Sequence, residues 1–94
     1  MSENIKNTTN DKKEVLIKLN TLEDVKNFVS IACMYDFDID LSTGRYIVDA
    51  KSIMGIFSLD LTKTIKLTAH TDKDTNLFDK IEKYTVSKDL QNQI

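Results

Sequence analysis

The side chains of this 94-residue sequence that could carry chemistry are few and scattered. One histidine (His70), one cysteine (Cys33) and three alternating carboxylates (Asp36, Asp38 and Asp40) are the first candidates. A lone cysteine forms neither an internal disulfide nor a thiolate cluster, and Cys33 reads as a small buried hydrophobe. Three carboxylates on one strand face offer the hard oxygens that calcium takes, although a solvated strand face accounts for them more simply. No His/Cys/Asp ligand set, Gly-rich phosphate loop or nucleophile–base pair occurs, so a stand-alone enzyme, a resident metal and a bound cofactor have no support. Two hydroxyl-led segments remain. Asn20 and Thr21 are each followed three residues later by an acid, Glu23 and Asp24, which is the pattern of a capping box. Ser52, in Lys51-Ser52-Ile53-Met54-Gly55, suits the N-cap of a short helix.

The elements that must hold these residues follow from hydrophobic period. Val15, Ile17 and Leu19 alternate with Leu16 and Lys18, predicting a first strand over 15–19. Leu22, Val25, Phe28, Val29, Ala32 and Cys33 recur at three- and four-residue steps, giving one apolar helix face that ends near Tyr35. Phe37, Ile39 and Leu41 alternate with Asp38 and Asp40, and Arg45 to Asp49 resumes strand-forming residues after Ser42-Thr43-Gly44. Gly44 supplies the positive φ of a tight hairpin. A short helix follows Ser52, with Ile56 and Leu59 suited to the core, and Gly55 implies a close approach on one side. Thr64 to Ala69 reads as the last strand with Ile65 and Leu67 inward, and Asp74 opens a final helix striped by Leu77, Phe78, Ile81, Tyr84 and Val86. The class is α+β, a four-stranded, mainly antiparallel sheet with one face under helices, in the order βαββαβα.

Composition narrows the function. Thirteen basic and fifteen acidic residues give a net charge of −2, which supplies no footprint for nucleic acid or anionic lipid. No run approaches the ~20 apolar residues of a membrane span, and the first residues lack the apolar stretch of a secretory signal, so a cytoplasmic protein is expected. Residues 1–13 hold only Met1 and Ile5 as apolar residues and read as a flexible tail. Residues 14–90 form the domain and 91–94 a C-terminal tail.

The order βαββαβα, together with Lys51-Ser52-Ile53-Met54-Gly55-Ile56-Phe57-Ser58-Leu59, resembles the HPr family, the small histidine phosphocarriers of the bacterial phosphoenolpyruvate-dependent sugar phosphotransferase system. Ala32 to Asp40, with its Tyr35-Asp36, and the hairpin before Lys51 are similar to the family at nearly the same spacing. The family's carrier motif is a histidine at the start of the first helix, followed two residues later by an arginine and then a proline. Counting back from Ser52 places Thr21 at the histidine position and Glu23 and Asp24 at the other two. The resemblance therefore implies a variant without the carrier histidine, similar to catabolite-repression HPr homologues. Carboxylates at a helix start stabilise it by about 0.3–1 kcal/mol each and repel a phosphoryl group. His70 has no counterpart in the motif and reads as a surface residue.

Ser52 matches the serine that, in HPr proteins of low-GC Gram-positive bacteria, is phosphorylated by an ATP-dependent HPr kinase/phosphorylase, after which the protein binds a transcriptional repressor of carbon catabolite control. A phosphate there would add about −1.5 to −2 charges at the helix start, although a plain helix cap explains Ser52 equally well. Ile53, Met54 and Phe57 match the apolar positions with which the family docks enzyme I, sugar permease domains and the repressor; core packing is their rival role. Lys51 and Lys63 would add steering charges. Asp60 and Thr64 stand where the family has glycines. The implied function is a regulatory or protein-binding module whose partners are phosphotransferase-system proteins, a catabolite-control regulator or HPr kinase. The alternative is a phosphocarrier to sugar permeases through another acceptor, Thr21 or His70.

Overall fold

The computed structural model describes residues 12–73 and 75–86. The strands are β1 (Lys13–Ile17), β2 (Ile39–Thr43), β3 (Tyr46–Asp49) and β4 (Ile65–Ala69); the helices are α1 (Leu22–Ala32), α2 (Ile53–Phe57) and α3 (Leu77–Lys80), with a 3₁₀ turn at Glu82–Tyr84. The four strands form one sheet in the order β1-β4-β2-β3, antiparallel throughout. Ile17, Ile39, Leu41, Ile65, Leu67 and Ala69 point to one face and are fully buried. Val25, Phe28 and Ala32 of α1, Ile56 of α2, and Leu77, Ile81 and Tyr84 close over them. This is the expected α+β architecture, and it follows from period-2 strands whose apolar face only helices cover.

Several boundaries differ from the sequence reading. β1 begins at Lys13, two residues early, because Lys13 and Glu14 pair with Ala69 and Thr68 of β4, yet Leu19 beyond its end is still buried. α1 ends at Ala32, and the chain reaches Tyr35 through tighter bonds: the N–H groups of Met34 and Tyr35 donate to the carbonyls of Ile31 and Ala32. Cys33 is the C-cap and is exposed, and Leu22 in the first turn is 58% exposed, so neither belongs to the buried face. β2 starts only at Ile39, which leaves Asp36 and Asp38 outside the strand and dissolves the row of three carboxylates. The expected start of the last helix, Asp74, and most of both tails lie outside the described residues.

That last helix departs most. Leu77, Ile81 and Tyr84 of its expected stripe are buried and Phe78 and Val86 are half-buried, but the helix is a single turn whose N-cap, Asn76, makes no side-chain cap bond. Ile81, at φ −105° and ψ 14°, leaves helical geometry. The backbone then finds better partners on β1 and the residue after it: the Lys18 N–H donates to the Tyr84 carbonyl at 2.8 Å, and the Val86 N–H to the Leu16 carbonyl at 2.9 Å. Pairing with an open strand edge displaces helix continuation.

No helix among the described residues is long and apolar enough to cross a membrane. The two-residue connection between Thr43 and Tyr46 places Gly44 at φ +58° with open space around it. Backbone conformation alone therefore makes Gly44 necessary, and Gly44→Val will lower stability by about 1–2 kcal/mol. Gly44→Asn, which tolerates that region, will lose distinctly less; chemical denaturation of both variants checks this.

Candidate functional site

α1 starts in a closed polar ring. The Thr21 hydroxyl accepts from the Asp24 N–H at 3.0 Å, while the Asp24 carboxylate accepts from the backbone N–H groups of Thr21 at 3.3 Å and Asn20 at 3.1 Å. This is the capping box in full, with Glu23 and Asp24 both acidic in the first turn. Glu23 also faces Lys26 at 3.8 Å, an exposed pair that contributes little. The donors with which a helix start would hold an anion are thus partly occupied, and the local charge is negative.

Ser52 caps the five-residue α2 differently. Its hydroxyl accepts from the Gly55 N–H at 3.1 Å, the side chain is half-buried, and no acid stands in the first turn. A Cβ on Gly55 would lie 3.3 Å from both the Ser52 hydroxyl and the Val48 Cβ, so glycine here allows α2 to press against β3. Ile56 and Leu59 face the core, Ile53 packs partly against it, and Met54 and Phe57 stand 74% and 44% exposed. The expected docking residues therefore split into one core-leaning side chain and two outward ones.

Lys51 is not an outward steering charge. Its ammonium donates to the carbonyls of Tyr35 at 2.7 Å and Phe37 at 2.9 Å, tying the exit of α1 to the start of α2. Charge-assisted bonds of this kind fix the loop around the Tyr35 and Phe37 rings, which meet tilted at 37° with centroids 5.4 Å apart. Tyr35 in turn donates to the Asn76 side-chain oxygen at 2.5 Å, and burial, reinforced by the negative charge of Asp79, pushes its hydroxyl pKa up. Lys63 remains exposed near Asp60.

The candidates do not converge on one site. Ser52 follows Lys51, whose carbonyl lies 4.0 Å from the Cys33 sulfur at the end of α1. Thr21 is at the opposite end of that helix, about 16 Å away at 1.5 Å per residue. His70 lies at the far end of β4 from Thr21, since Ile65 pairs with Ile17 and Ala69 with Lys13. Its Nε2 sits 2.8 Å from the Asp40 carboxylate on the uncovered sheet face.

Sequence reasoning passed over the Lys51 clamp, the Asp40–His70 pair and the turn at Asp60. The Asp60 carboxylate accepts from the Thr62 hydroxyl at 2.6 Å and the Thr62 N–H at 3.1 Å, and the Thr62 side-chain bond is the leading reason its carboxyl sits below the usual range. The Asp-x-Thr spacing signals such a turn. It shapes the chain without a glycine, and Lys18 secures it by donating to the Leu61 carbonyl at 3.0 Å.

Residues 24–86 match the family model described as the PTS HPr component phosphorylation site, a span that includes Ser52 and begins after Thr21 and Glu23. Among solved structures, the chain is similar to HPr-C-His from Thermoanaerobacter tengcongensis, with a TM-score of 0.64 and 28% identity over 76% of this chain and 88% of that one. It is also similar to the phosphocarrier protein HPr from Bacillus anthracis str. Ames, at 0.53 and 26%, over 77% and 88% respectively. No curated protein matches.

Lys51→Met keeps most of the side-chain volume and strips two carbonyls of their charged donor, so it will lower stability by about 1.5–3 kcal/mol in denaturant titrations. Thr62→Val will let the Asp60 pKa rise toward the ordinary carboxylate range, read by NMR titration. Because the folded value is the lower one, the stability that Asp60 contributes is present above its unfolded pKa and fades as pH falls through the folded pKa. The variant will show a smaller acid-side loss, because the Thr62 N–H and the nearby Lys63 and Lys18 charges still favour the carboxylate.

Proposed function

The chain belongs to the HPr phosphocarrier family of the bacterial phosphotransferase system, and from that membership we propose that it serves as a non-catalytic protein-binding module, regulated at Ser52, rather than as a carrier of the phosphoryl group. The observation that carries this reading is the capping box closed around Thr21. If Thr21 occupies the carrier position, a phosphoryl group there would have to displace the Asp24 N–H from the hydroxyl and sit beside two carboxylates. A threonine phosphate is also an ester, far less transferable than the phosphoramidate of an imidazole nitrogen. His70, the sole histidine, is engaged by Asp40 and lies at the other end of the sheet from Thr21, which argues against it as a substitute acceptor.

Ser52 is the better modification site. A phosphate on its oxygen would enter a helix start without acidic neighbours, where the helix dipole favours negative charge. The group would then stand next to Met54 and Phe57, altering the charge that a docking partner meets more than it alters the fold. Ile53, Met54 and Phe57 would supply the apolar contact. The partners are proteins of the phosphotransferase system or a catabolite-control transcriptional regulator, with HPr kinase/phosphorylase as the modifying enzyme, in the cytoplasm.

Intact-mass analysis tests both halves of this function. The protein is incubated with enzyme I and phosphoenolpyruvate in one reaction and with HPr kinase and ATP in another. The expected outcome is one phosphate added only by the kinase and none in Ser52→Ala. Phosphate arriving from enzyme I would restore the carrier function and refute the argument from Thr21, and the absence of phosphate with the kinase would refute regulation at Ser52.

A further inference from the structure

The two edges of the sheet are treated differently. Beyond β1, Thr85 bridges to Ile17 and the Val86 N–H donates to the Leu16 carbonyl, so that edge is partly covered. Beyond β3 nothing pairs among the described residues. β3 carries none of the lysines, prolines or bulges that commonly blunt an edge. It reads Tyr46-Ile47-Val48-Asp49 instead, with Tyr46 and Ile47 each 69% exposed.

The backbone of β3 has a defined outward pattern. Thr43 and Tyr46 close a two-residue hairpin, so Tyr46 and Val48 direct their peptide groups to β2 and Ile47 directs its own to solvent, while the Asp49 carbonyl, on the same outer side, accepts from the Ser52 N–H at 3.0 Å. The side chains of Ile47 and Asp49 share the uncovered sheet face with their partners Ser42 and Asp40. Asp49 therefore stands opposite another carboxylate, and Asp40 is already matched to His70. Neither Asp49 nor Arg45 has an ion-pair partner within the chain among the described residues.

We propose that β3 is the surface through which two copies of this chain pair, antiparallel and two-fold symmetric, with Ile47 opposite Ile47 and Arg45 of each copy opposite Asp49 of the other. Three observations select that register. It brings together the outward peptide groups of Ile47 from both copies, as an antiparallel ladder requires. It gives the Asp49 carboxylate, which within its own chain accepts the Lys51 backbone N–H at 2.9 Å but has no cationic partner among the described residues, a guanidinium, and gives each Arg45 a carboxylate, flanking an apolar centre. A shift of two residues one way sets Arg45 against Lys51 of the other copy, and a shift the other way removes the arginine–aspartate pairing. The contact is short and well below the ~1,200 Å² of a standard stable interface, so the dimer is weak and concentration-dependent.

Sedimentation equilibrium of the full chain from about 10 μM to 1 mM reads the association directly. Ile47→Lys and Arg45→Glu will each weaken it about tenfold or more, and the charge-swapped Arg45→Glu/Asp49→Arg double variant will recover most of that loss. The Ile47 and Asp49 amide signals will move with protein concentration in NMR spectra, and thermal melts establish that each variant is folded. A protein that stays monomeric to 1 mM overturns the proposal. So does an association that Ile47→Lys and Arg45→Glu leave unchanged, which would assign self-contact to another surface such as Met54 and Phe57.

Discussion

The fold depends on β4. It is the last strand in the chain, yet it lies between β1 and β2 and forms ladders with both. Without it the sheet separates into one isolated strand and a two-stranded hairpin, neither of which holds together alone in water. Its inward residues Ile65, Leu67 and Ala69 are fully buried and its outward residues Lys66 and Thr68 are not, so a one-residue slip would bury an ammonium and expose the core. Every other element is positioned by that register. Ile17 is aligned by Ile65, the chain then turns at Thr21 into α1, and α1 runs back across the sheet to deliver the chain to β2.

Two helices on the same face begin with hydroxyl caps and differ in everything around them. Thr21 is enclosed by a carboxylate that returns its hydrogen bond, and the first turn of α1 is acidic. Ser52 is enclosed by the close approach of Gly55 to Val48, and the first turn of α2 has no charge. The first arrangement stabilises a helix start at the expense of anion binding. The second leaves the serine oxygen as a cap on a turn held from behind by Lys51, whose ammonium grips the carbonyls of Tyr35 and Phe37. Local charge thus separates two otherwise similar N-caps.

Much of this was legible in the sequence because it is local. The caps at Thr21 and Ser52, the positive φ of Gly44, the inward Ile65 and Leu67, and the close contact at Gly55 each follow from a residue type and its near neighbours. What was not legible depends on distant backbone. The carbonyls that claim Lys51 lie 14 and 16 residues away and leave no side-chain signature. Backbone partners on β1 likewise interrupt the final helix although its apolar stripe is intact. Cys33 was misplaced for a smaller reason: α1 stops one residue before it, so continuing the 3.6-residue period assigns it to a face that has already ended.

The exposure of Met54 and Phe57 follows from how α2 is seated. At about 100° per residue, Gly55 and Ile53 flank Ile56 on either side, while Phe57 and Met54 fall progressively farther round the helix. Gly55 lets the backbone settle on Val48, and Ile56 enters the core. With Gly55 and Ile56 fixed inward, a helix of five residues has no remaining way to bury position 54 and little to bury 57. A larger residue at 55 would lift α2 from the sheet and loosen Ile56, so the outward methionine and phenylalanine and the inward glycine are one geometric arrangement. The surface that the Lys51-Ser52 turn presents is held by the same contacts that hold the core.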